Sequence, residues 1–236
     1  MSERPLSIAI IGSGLMGTAI SKLAPERGLE VAGMLTRENM ADPSDNTRAL
    51  LGQVDVALEF TTPATAIANV RICLDASCPV IVGTTGWYDA LPEVSAAVHA
   101  QGSSLLWAPN FSLGVAILSQ LVRRAGQLTA GLDQFDVRLR ETHHTAKRDA
   151  PSGTAITLEA TLATELGRPV PISSVRTGSV PGTHEVTFDG PFEQITLTHE
   201  ALDRRVFADG ALTAARWLVG RTGVFTMDDV FGVEPT

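Results

Sequence analysis

The sequence predicts an α/β fold in which a doubly wound parallel sheet is followed by a second domain of the α+β class. Three observations support this prediction. Apolar, strand-like runs alternate strictly with helix-like segments as far as Asn110. A glycine-rich turn closes the first run and opens the first helix. Beyond Asn110, a long amphipathic helix pattern precedes a segment with the two-residue period of a strand that has one wet face.

The first domain contains five predicted strands, each a short apolar run, and the first of them is typical of a strand buried on both faces. They are LSIAIIG (6–12), LEVAGML (29–35), VDVALEF (54–60), PVIVGTTG (79–86) and SSLLWAPN (103–110). The segments between them predict helices, the clearest being LMGTAISKLAPERG (15–28), PATAIANVRICLDAS (63–77) and DALPEVSAAVHAQG (89–102). Because parallel strands need such crossover helices, the alternation indicates a parallel sheet.

The second domain, predicted over 112–206, begins with the amphipathic helix SLGVAILSQLVRRAGQL (112–128). In FDVRLRETHH (135–144), apolar side chains alternate with charged ones, which predicts a strand with one buried face. GTAITLEATLATELG (153–167) predicts a helix, and HEVTFDGPFEQITLTHEA (184–201) two strands around an Asp-Gly-Pro turn. ADGALTAARWLVGR (208–221) predicts a returning helix, and GVFTMDDVFG (223–232) a short tail.

The composition excludes several classes of protein. The chain has 236 residues and a formal net charge of −8, and no long block of Lys or Arg favours nucleic acid or an anionic membrane as a partner. No signal-peptide pattern and no apolar run of transmembrane length occurs, so we expect a cytoplasmic protein. The two cysteines, Cys73 and Cys78, have neither redox nor zinc-knuckle spacing and are expected to be buried thiols near a helix end.

The glycine-rich turn has the G-x-G-x-x-G spacing of dinucleotide-binding turns, with Gly12, Gly14 and Gly17 at its fixed positions. The first glycine permits the tight turn, the second lets a pyrophosphate approach, and the third allows close packing of helix on strand. A plain strand–helix turn in a flavodoxin-like domain is the alternative. The second strand ends in Thr36 and Arg37, where a carboxylate usually binds an adenine ribose. Arg37 therefore favours a 2′-phosphate, although it also fits an ordinary surface residue.

The segment ETHHTAKRDAPSGTA (141–155) concentrates titratable and positive groups in an acidic chain. Ser152 is a candidate N-cap, so the main-chain N–H groups of Gly153 and Thr154 are expected at a helix start. With His143, His144 and Lys147 they would form an anion site suited to a carboxylate. A solvated loop is one alternative. A metal site of Glu141, His143 and His144 is another, but it lacks a suitably spaced further ligand, so we expect no metal.

This segment resembles the signature E-x-H-H-x-x-K-x-D-A-P-S-G-T-A of the 4-hydroxy-tetrahydrodipicolinate reductases (dihydrodipicolinate reductases) of bacterial diaminopimelate and lysine biosynthesis. GSGLMG, EFTTPA, VGTTGW, APNFSLGV, RTGSVPGTHEVTF and FADGALTAARWL resemble further family motifs in the same order, so the resemblance covers essentially the whole chain. It implies a Rossmann-type dinucleotide-binding domain of residues 1–111 completed by 207–236. It also implies a substrate-binding and oligomerisation domain of residues 112–206, whose open sheet builds a homotetramer.

The resemblance implies reduction of a small cyclic dicarboxylate, 4-hydroxy-tetrahydrodipicolinate, to tetrahydrodipicolinate by NADPH or NADH. His143 corresponds to the family's catalytic acid/base and Lys147 to its proton donor, while His144, Gly153 and Thr154 correspond to substrate-binding positions. The cofactor-binding positions carried over are Gly12, Ser13, Gly14, Leu15, Met16, Gly17, Arg37, Gly83, Thr84, Thr85, Ala108, Pro109, Asn110 and Phe111. Because Thr36 replaces the usual acid, both cofactors are expected to serve, with a modest preference for NADPH.

Two other kinds of protein share parts of this pattern. A different Rossmann oxidoreductase acting on a small carboxylate would share only the N-terminal half, and the basic segment in the second domain argues against it. A non-catalytic, cofactor-binding regulator would be expected to lose the pair His143 and Lys147, and this chain keeps both.

Overall fold

The computed structural model describes residues 4–232, which divide into two compact units. The described residues up to Phe111, together with those from Phe207 onward, form the first unit, and Ser112–Val206 form the second. In the part of the chain that the structure describes, no helix is both long and apolar enough to cross a membrane.

The first unit begins with the alternation that the sequence predicts. Its strands are β1 (Leu6–Ile11), β2 (Leu29–Leu35), β3 (Val56–Glu59), β4 (Val80–Val82) and β5 (Ser104–Trp107). Its helices are α1 (Leu15–Leu23), α2 (Arg37–Ala41), α3 (Asp45–Gln53), α4 (Pro63–Asp75) and α5 (Leu91–Ala100). Both faces of β1 are buried, since Ile8, Ala9, Ile10 and Ile11 are all inaccessible to solvent. This explains why the strand is a continuous apolar run.

The second unit packs two helices against a four-stranded mixed sheet. It comprises α6 (Leu113–Thr129), β6 (Asp136–His143), α7 (Gly153–Leu166), β7 (Ile172–Arg176), β8 (Thr183–Asp189) and β9 (Gln194–Glu200). The strand order is β7-β6-β8-β9; β7 is parallel to β6, and the other pairs are antiparallel. Along β6, charged and buried residues alternate as predicted. β7 was not among the predicted strands, because its two serines leave too few apolar residues for a strand pattern.

The C-terminal segment forms α8 (Arg205–Leu218), β10 (Gly223–Phe225) and α9 (Met227–Val230). β10 pairs in parallel with β5, so the first sheet has the order β10-β5-β4-β3-β1-β2 and all its strands are parallel. The prediction of a short tail over 223–232 is therefore wrong, because three residues sufficed for a sheet strand. The predicted class, a doubly wound parallel sheet with a second α+β domain, is confirmed.

Candidate active site

The glycine turn after β1 has a backbone that only glycine fits at two of its positions. Gly12 has a φ of +111°, and a Cβ atom there would lie 2.2 Å from the carbonyl oxygen of Phe60. A Cβ atom at Gly17 would lie 1.9 Å from the carbonyl oxygen of Gly12. The first and third glycines therefore close the turn onto the neighbouring strand and helix.

Gly14 serves a different purpose from the other two glycines. It is the N-cap of α1 and supplies no side-chain acceptor to the first helical turn. No described atom lies within 4 Å of the position where its Cβ atom would stand. Beside it, Ser13 is exposed, Met16 is half-buried and Leu15 leaves 84% of its surface to solvent, an unusual exposure for leucine. An open helix N-terminus beside an exposed apolar side chain fits a dinucleotide pyrophosphate.

The loops after β3, β4 and β5 meet the glycine turn at the carboxyl edge of the sheet. The ring of Phe60 lies against Gly83, where a Cβ atom would stand 2.0 Å from the ring, and its centroid lies 5.6 Å from that of Phe111. The main-chain N–H of Thr61 donates to Thr84 Oγ1 at 2.7 Å. Ligands of open parallel sheets bind at this edge, so the loops that carry the motifs EFTTPA, VGTTGW and APNFSLGV converge where a cofactor is expected.

The predicted cofactor residues on these loops differ in what they offer a ligand. Thr84, Ala108 and Phe111 are buried, and the Thr84 hydroxyl is engaged by the neighbouring loop. Thr85 and Pro109 are exposed. Phe60 lies within the motif EFTTPA but was not named as a cofactor residue; it follows β3 directly, at the edge of the sheet where ligands bind.

Thr36 and Arg37 begin α2 at the end of β2. Thr36 is the N-cap, and Asn39 Oδ1 accepts hydrogen bonds from both its main-chain N–H, at 2.8 Å, and its hydroxyl, at 2.9 Å. The Thr36 hydroxyl is thus committed to a local capping box. Arg37 is exposed, with no hydrogen bond or ion pair to another described residue. Its guanidinium remains available to an anion.

In the second unit, Glu141 and His143 project from the buried face of β6. The carboxylate of Glu141 accepts a hydrogen bond from His143 Nδ1, and its other oxygen lies 2.7 Å from Arg176 Nη2. Burial alone would raise the pKa of Glu141, but Arg176, Ser174 and His143 outweigh it and hold that pKa below its ordinary value. The ionised carboxylate therefore keeps the proton of His143 on Nδ1 and leaves Nε2 for a ligand.

The environment of His143 lowers its pKa. Burial is the largest cause, the Glu141 carboxylate opposes it, and the charges of Lys147 and Arg176 act with burial. Gly182 leaves room beside the ring, because a Cβ atom there would stand 3.0 Å from Nε2. The protonated ring of His143 thus gives up its proton more readily than an ordinary imidazolium, and its reactive nitrogen lies beside a glycine.

Two further predicted site residues, Lys147 and His144, lie in the loop between β6 and α7. Lys147 Nζ donates to both carboxylate oxygens of Asp149 at 2.8 Å, so its charge is partly neutralised by a residue of its own motif. His144 Nε2 accepts from Arg204 at 3.1 Å. Arg204 thereby adds a positive group that the sequence analysis missed because it lies sixty residues further along the chain.

Ser152 caps α7 as predicted, and its hydroxyl oxygen accepts from the main-chain N–H of Ala155 at 3.2 Å. Gly153 is the first helical residue, and no described atom lies within 4 Å of its Cβ position. Thr154 follows and is half-buried. The helix start therefore combines a positive dipole end with open space, as a carboxylate-binding position needs.

A cation site is a second chemical interpretation of part of this cluster. Glu141, His143 and His184 offer ligand atoms within 4.8 Å of one another, so His184 replaces His144 in the trio considered from sequence. The same carboxylate already binds the guanidinium of Arg176. A metal ion would face that fixed positive charge, so the absence of a metal stays a prediction supported by electrostatics.

Comparison with known proteins assigns the chain to a family. A family model described as "Dihydrodipicolinate reductase, N-terminus" matches residues 6–111, and one described as "Dihydrodipicolinate reductase, C-terminus" matches residues 114–231. The chain belongs to the dihydrodipicolinate reductase family. The resemblance seen in the sequence is thereby confirmed.

Relatives named 4-hydroxy-tetrahydrodipicolinate reductase extend over almost the whole chain. One from Stenotrophomonas maltophilia is 40% identical and covers 94% of this chain and 95% of its own. Another, from Christiangramia forsetii, is 34% identical and covers 95% of this chain and 97% of its own. Among solved structures, the dipicolinate-bound dihydrodipicolinate reductase of Paenisporosarcina sp. TG-14 matches with a TM-score of 0.77 at 23% identity, covering 94% of this chain and 97% of that one. The structural match shows that this dihydrodipicolinate reductase fold is shared.

Proposed function

We propose that the chain reduces 4-hydroxy-tetrahydrodipicolinate to tetrahydrodipicolinate with NADH or NADPH, in diaminopimelate and lysine biosynthesis. Membership of the family and relatives of this name along the whole chain support the reaction and the enzyme class. The assignment of individual residues below is our own proposal, argued from their geometry.

The cofactor belongs to the first unit. The N–H groups at the start of α1 and the space above Gly14 would hold the pyrophosphate. Thr85 and Pro109, exposed at the ends of β4 and β5, would contact the nicotinamide end. Ser13, Leu15, Met16 and Asn110 complete the proposed cradle, while Gly12, Gly17, Gly83, Thr84, Ala108 and Phe111 shape it. A bound nicotinamide supplies a hydride to the substrate ring.

The substrate carboxylates belong to the second unit. The start of α7, at Gly153 and Thr154, would bind one carboxylate through main-chain N–H groups. Lys147, together with Arg204 beside His144, would neutralise negative charge that otherwise repels the phosphates of the reduced cofactor. Lys147 must then exchange its Asp149 partner for the ligand, which is feasible because that ion pair lies at the surface.

His143 is the proposed proton donor of the reaction. Loss of the 4-hydroxyl group as water gives the conjugated imine. Once a hydride has added to that imine, electron density remains at ring carbon and nitrogen and must be protonated. Glu141 holds Nδ1, so the proton is delivered from Nε2, the nitrogen beside Gly182. A lowered pKa makes this donation easier, and Glu141 stabilises the imidazolium between turnovers. In this scheme the positive charge of Lys147 assists the protonation.

One observation supports the assignment of His143 as proton donor: Glu141 and His143 are hydrogen-bonded to each other. The same segment also contains Lys147 and the start of α7. The test is a steady-state assay of the wild-type chain with enzymatically prepared substrate and each reduced cofactor. His143→Gln keeps a polar group but cannot donate a titrating proton, and should lose most of the turnover. Full turnover in that variant would remove His143 from the chemistry, and an inactive wild type would contradict the function.

We propose three finer properties as well. NADPH should be preferred modestly, because Arg37 follows β2, is exposed and makes no ion pair with another described residue. A homotetramer should form through the open sheet, whose edge strand β9 exposes Ile195 and follows the fully exposed Phe192. Light scattering at several protein concentrations tests the assembly, and a monomer would exclude it. We expect the reaction to occur in the cytoplasm, where its reduced cofactors are maintained.

A further inference from the structure

Two histidines on neighbouring strands of the second sheet each contact the N-cap serine of a different helix. His184 on β8 pairs in register with His199 on β9. His184 Nε2 lies 3.1 Å from Ser152 Oγ, the cap of α7, and His199 Nε2 lies 3.3 Å from Ser112 Oγ, the cap of α6. Each serine oxygen also accepts a main-chain N–H of its helix. The sheet is thus joined to both helix starts through an imidazole and a hydroxyl.

The contact between His184 and Ser152 is fully enclosed. His184 is 4% exposed and Ser152 is 2% exposed, so no solvent competes for their hydrogen bond. Nδ1 of His184 has no hydrogen-bond partner among the described residues. A charged imidazole would bury an unsatisfied N–H at that nitrogen, whereas a neutral ring with its proton on Nε2 buries none and donates that proton to Ser152 Oγ. The neutral ring therefore holds the Ser152 oxygen in place at the start of α7.

We propose that His184 is a positioning residue for substrate binding, which holds Ser152 so that the start of α7 presents its N–H groups to a substrate carboxylate. This inference rests on the proposed function, since it concerns the same helix start. Ser152 cannot turn away from the helix without losing its hydrogen bond to His184. Small displacements of such N–H groups weaken anion binding strongly, because the ligand needs them at fixed positions.

Two substitutions separate this role from simple packing. In His184→Gln, the side-chain amide reaches about the position of Nε2 and can still partner Ser152, whereas in His184→Asn it ends one bond too early. His199→Asn is the matched control, because it removes the equivalent contact from the cap of α6, which binds no substrate in this scheme. Ser152→Ala, alone and combined with His184→Asn, completes a double-mutant cycle.

The probe is pyridine-2,6-dicarboxylate, an unreactive cyclic dicarboxylate, titrated calorimetrically into the NADPH-loaded protein. We expect His184→Asn to weaken its binding, and to raise the substrate KM, by about tenfold with a smaller loss in kcat. In His184→Gln, the affinity for the dicarboxylate and the substrate KM should both stay within about threefold of wild type. His199→Asn should leave both values near wild type. NADPH affinity should be unchanged throughout. The double variant should be no worse than the worse single variant, since both changes break one linkage.

The amide of Ala155 gives a readout that needs no ligand. Its hydrogen exchange should accelerate in His184→Asn and Ser152→Ala but not in His184→Gln or His199→Asn. Equal impairment in the Gln and Asn variants, or additive effects in the cycle, would overturn the positioning role even in an active enzyme. A wild type that neither binds the dicarboxylate nor turns over the substrate would instead contradict the proposed function, and this inference with it.

Discussion

Glu141 and His143 stand two residues apart on the same buried face of β6, and the carboxylate accepts a hydrogen bond from the imidazole Nδ1. The two-residue period of a strand places them side by side. The carboxylate stays ionised because Arg176 lies against its other oxygen. The pair therefore orients the imidazole and sets its tautomer before any ligand arrives.

Glu141→Gln is expected to lower kcat by about 10- to 100-fold, the usual effect of removing the carboxylate that orients a functional histidine. Because Glu141 raises the pKa of His143 against the effect of burial, its removal should lower that pKa further. The alkaline fall of the pH–rate profile, where a proton donor is lost, should then move to lower pH. Glu185→Gln on β8 is the control. An unshifted profile would contradict the pairing.

Lys147→Ala is expected to lower turnover by about two to three orders of magnitude and to weaken substrate binding. NADPH affinity should hardly change, because the glycine turn lies in the other unit. Arg148→Ala, which removes the neighbouring exposed cation, controls for a loss of general positive charge. Stopped-flow turnover and cofactor titration measure both effects, and near-normal turnover in Lys147→Ala would remove it from the mechanism.

Gly14→Ala and Gly17→Ala should separate ligand binding from folding. A Cβ atom at Gly14 meets no described atom, so that variant should fold normally but bind NADPH at least about tenfold more weakly. A Cβ atom at Gly17 would overlap the Gly12 carbonyl, and overpacking of this kind costs about 1–3 kcal/mol or more in folding stability. Thermal melts measure the folding stability of each variant, and cofactor titrations measure its affinity for NADPH. Undiminished NADPH binding by Gly14→Ala would contradict the proposed pyrophosphate position.

Arg37→Ala should remove the NADPH advantage, a factor of about five to thirty for one charge-assisted contact, and leave NADH kinetics unchanged. Arg48→Ala, an exposed cation on α3, is the control. Thr36→Asp should shift preference toward NADH, since a carboxylate accepts from the ribose hydroxyl and repels a 2′-phosphate. Aspartate also caps helices well, so α2 should persist. A strong native preference for NADH would contradict this interpretation.

The lowered pKa of His184 should make the folding stability fall in acid. Burial, with a smaller effect of neighbouring His143, lowers its pKa from 6.5 to about 4. The folded state therefore favours the neutral ring, and its contribution is complete above about pH 6.5 and lost as the pH falls toward 4. The loss amounts to about 3 kcal/mol for this shift. Urea unfolding between pH 7.5 and 4 should show a weaker acid dependence in His184→Gln than in wild type or His199→Gln.

The sequence by itself determined the class of fold and the segments of the site. Buried parallel strands must be apolar on both faces, so β1, β3, β4 and β5 stood out as apolar runs. Gly12, Gly14 and Gly17 marked the turn by spacing, because no other residue fits the first and third positions. Ser152 marked the start of α7 because an N-cap is a local hydrogen bond between neighbours in the chain.

Only the tertiary structure decided which groups those residues meet. Arg176 against Glu141, Arg204 against His144 and His184 against Ser152 join positions that are 32 to 60 residues apart. Strand pairing and helix packing set these contacts, and no local pattern encodes them. The same holds for β10, whose three residues became a strand only because the edge of β5 was open to it. Non-local contacts thus settled the charge, tautomer and orientation of side chains whose places in the chain were already evident.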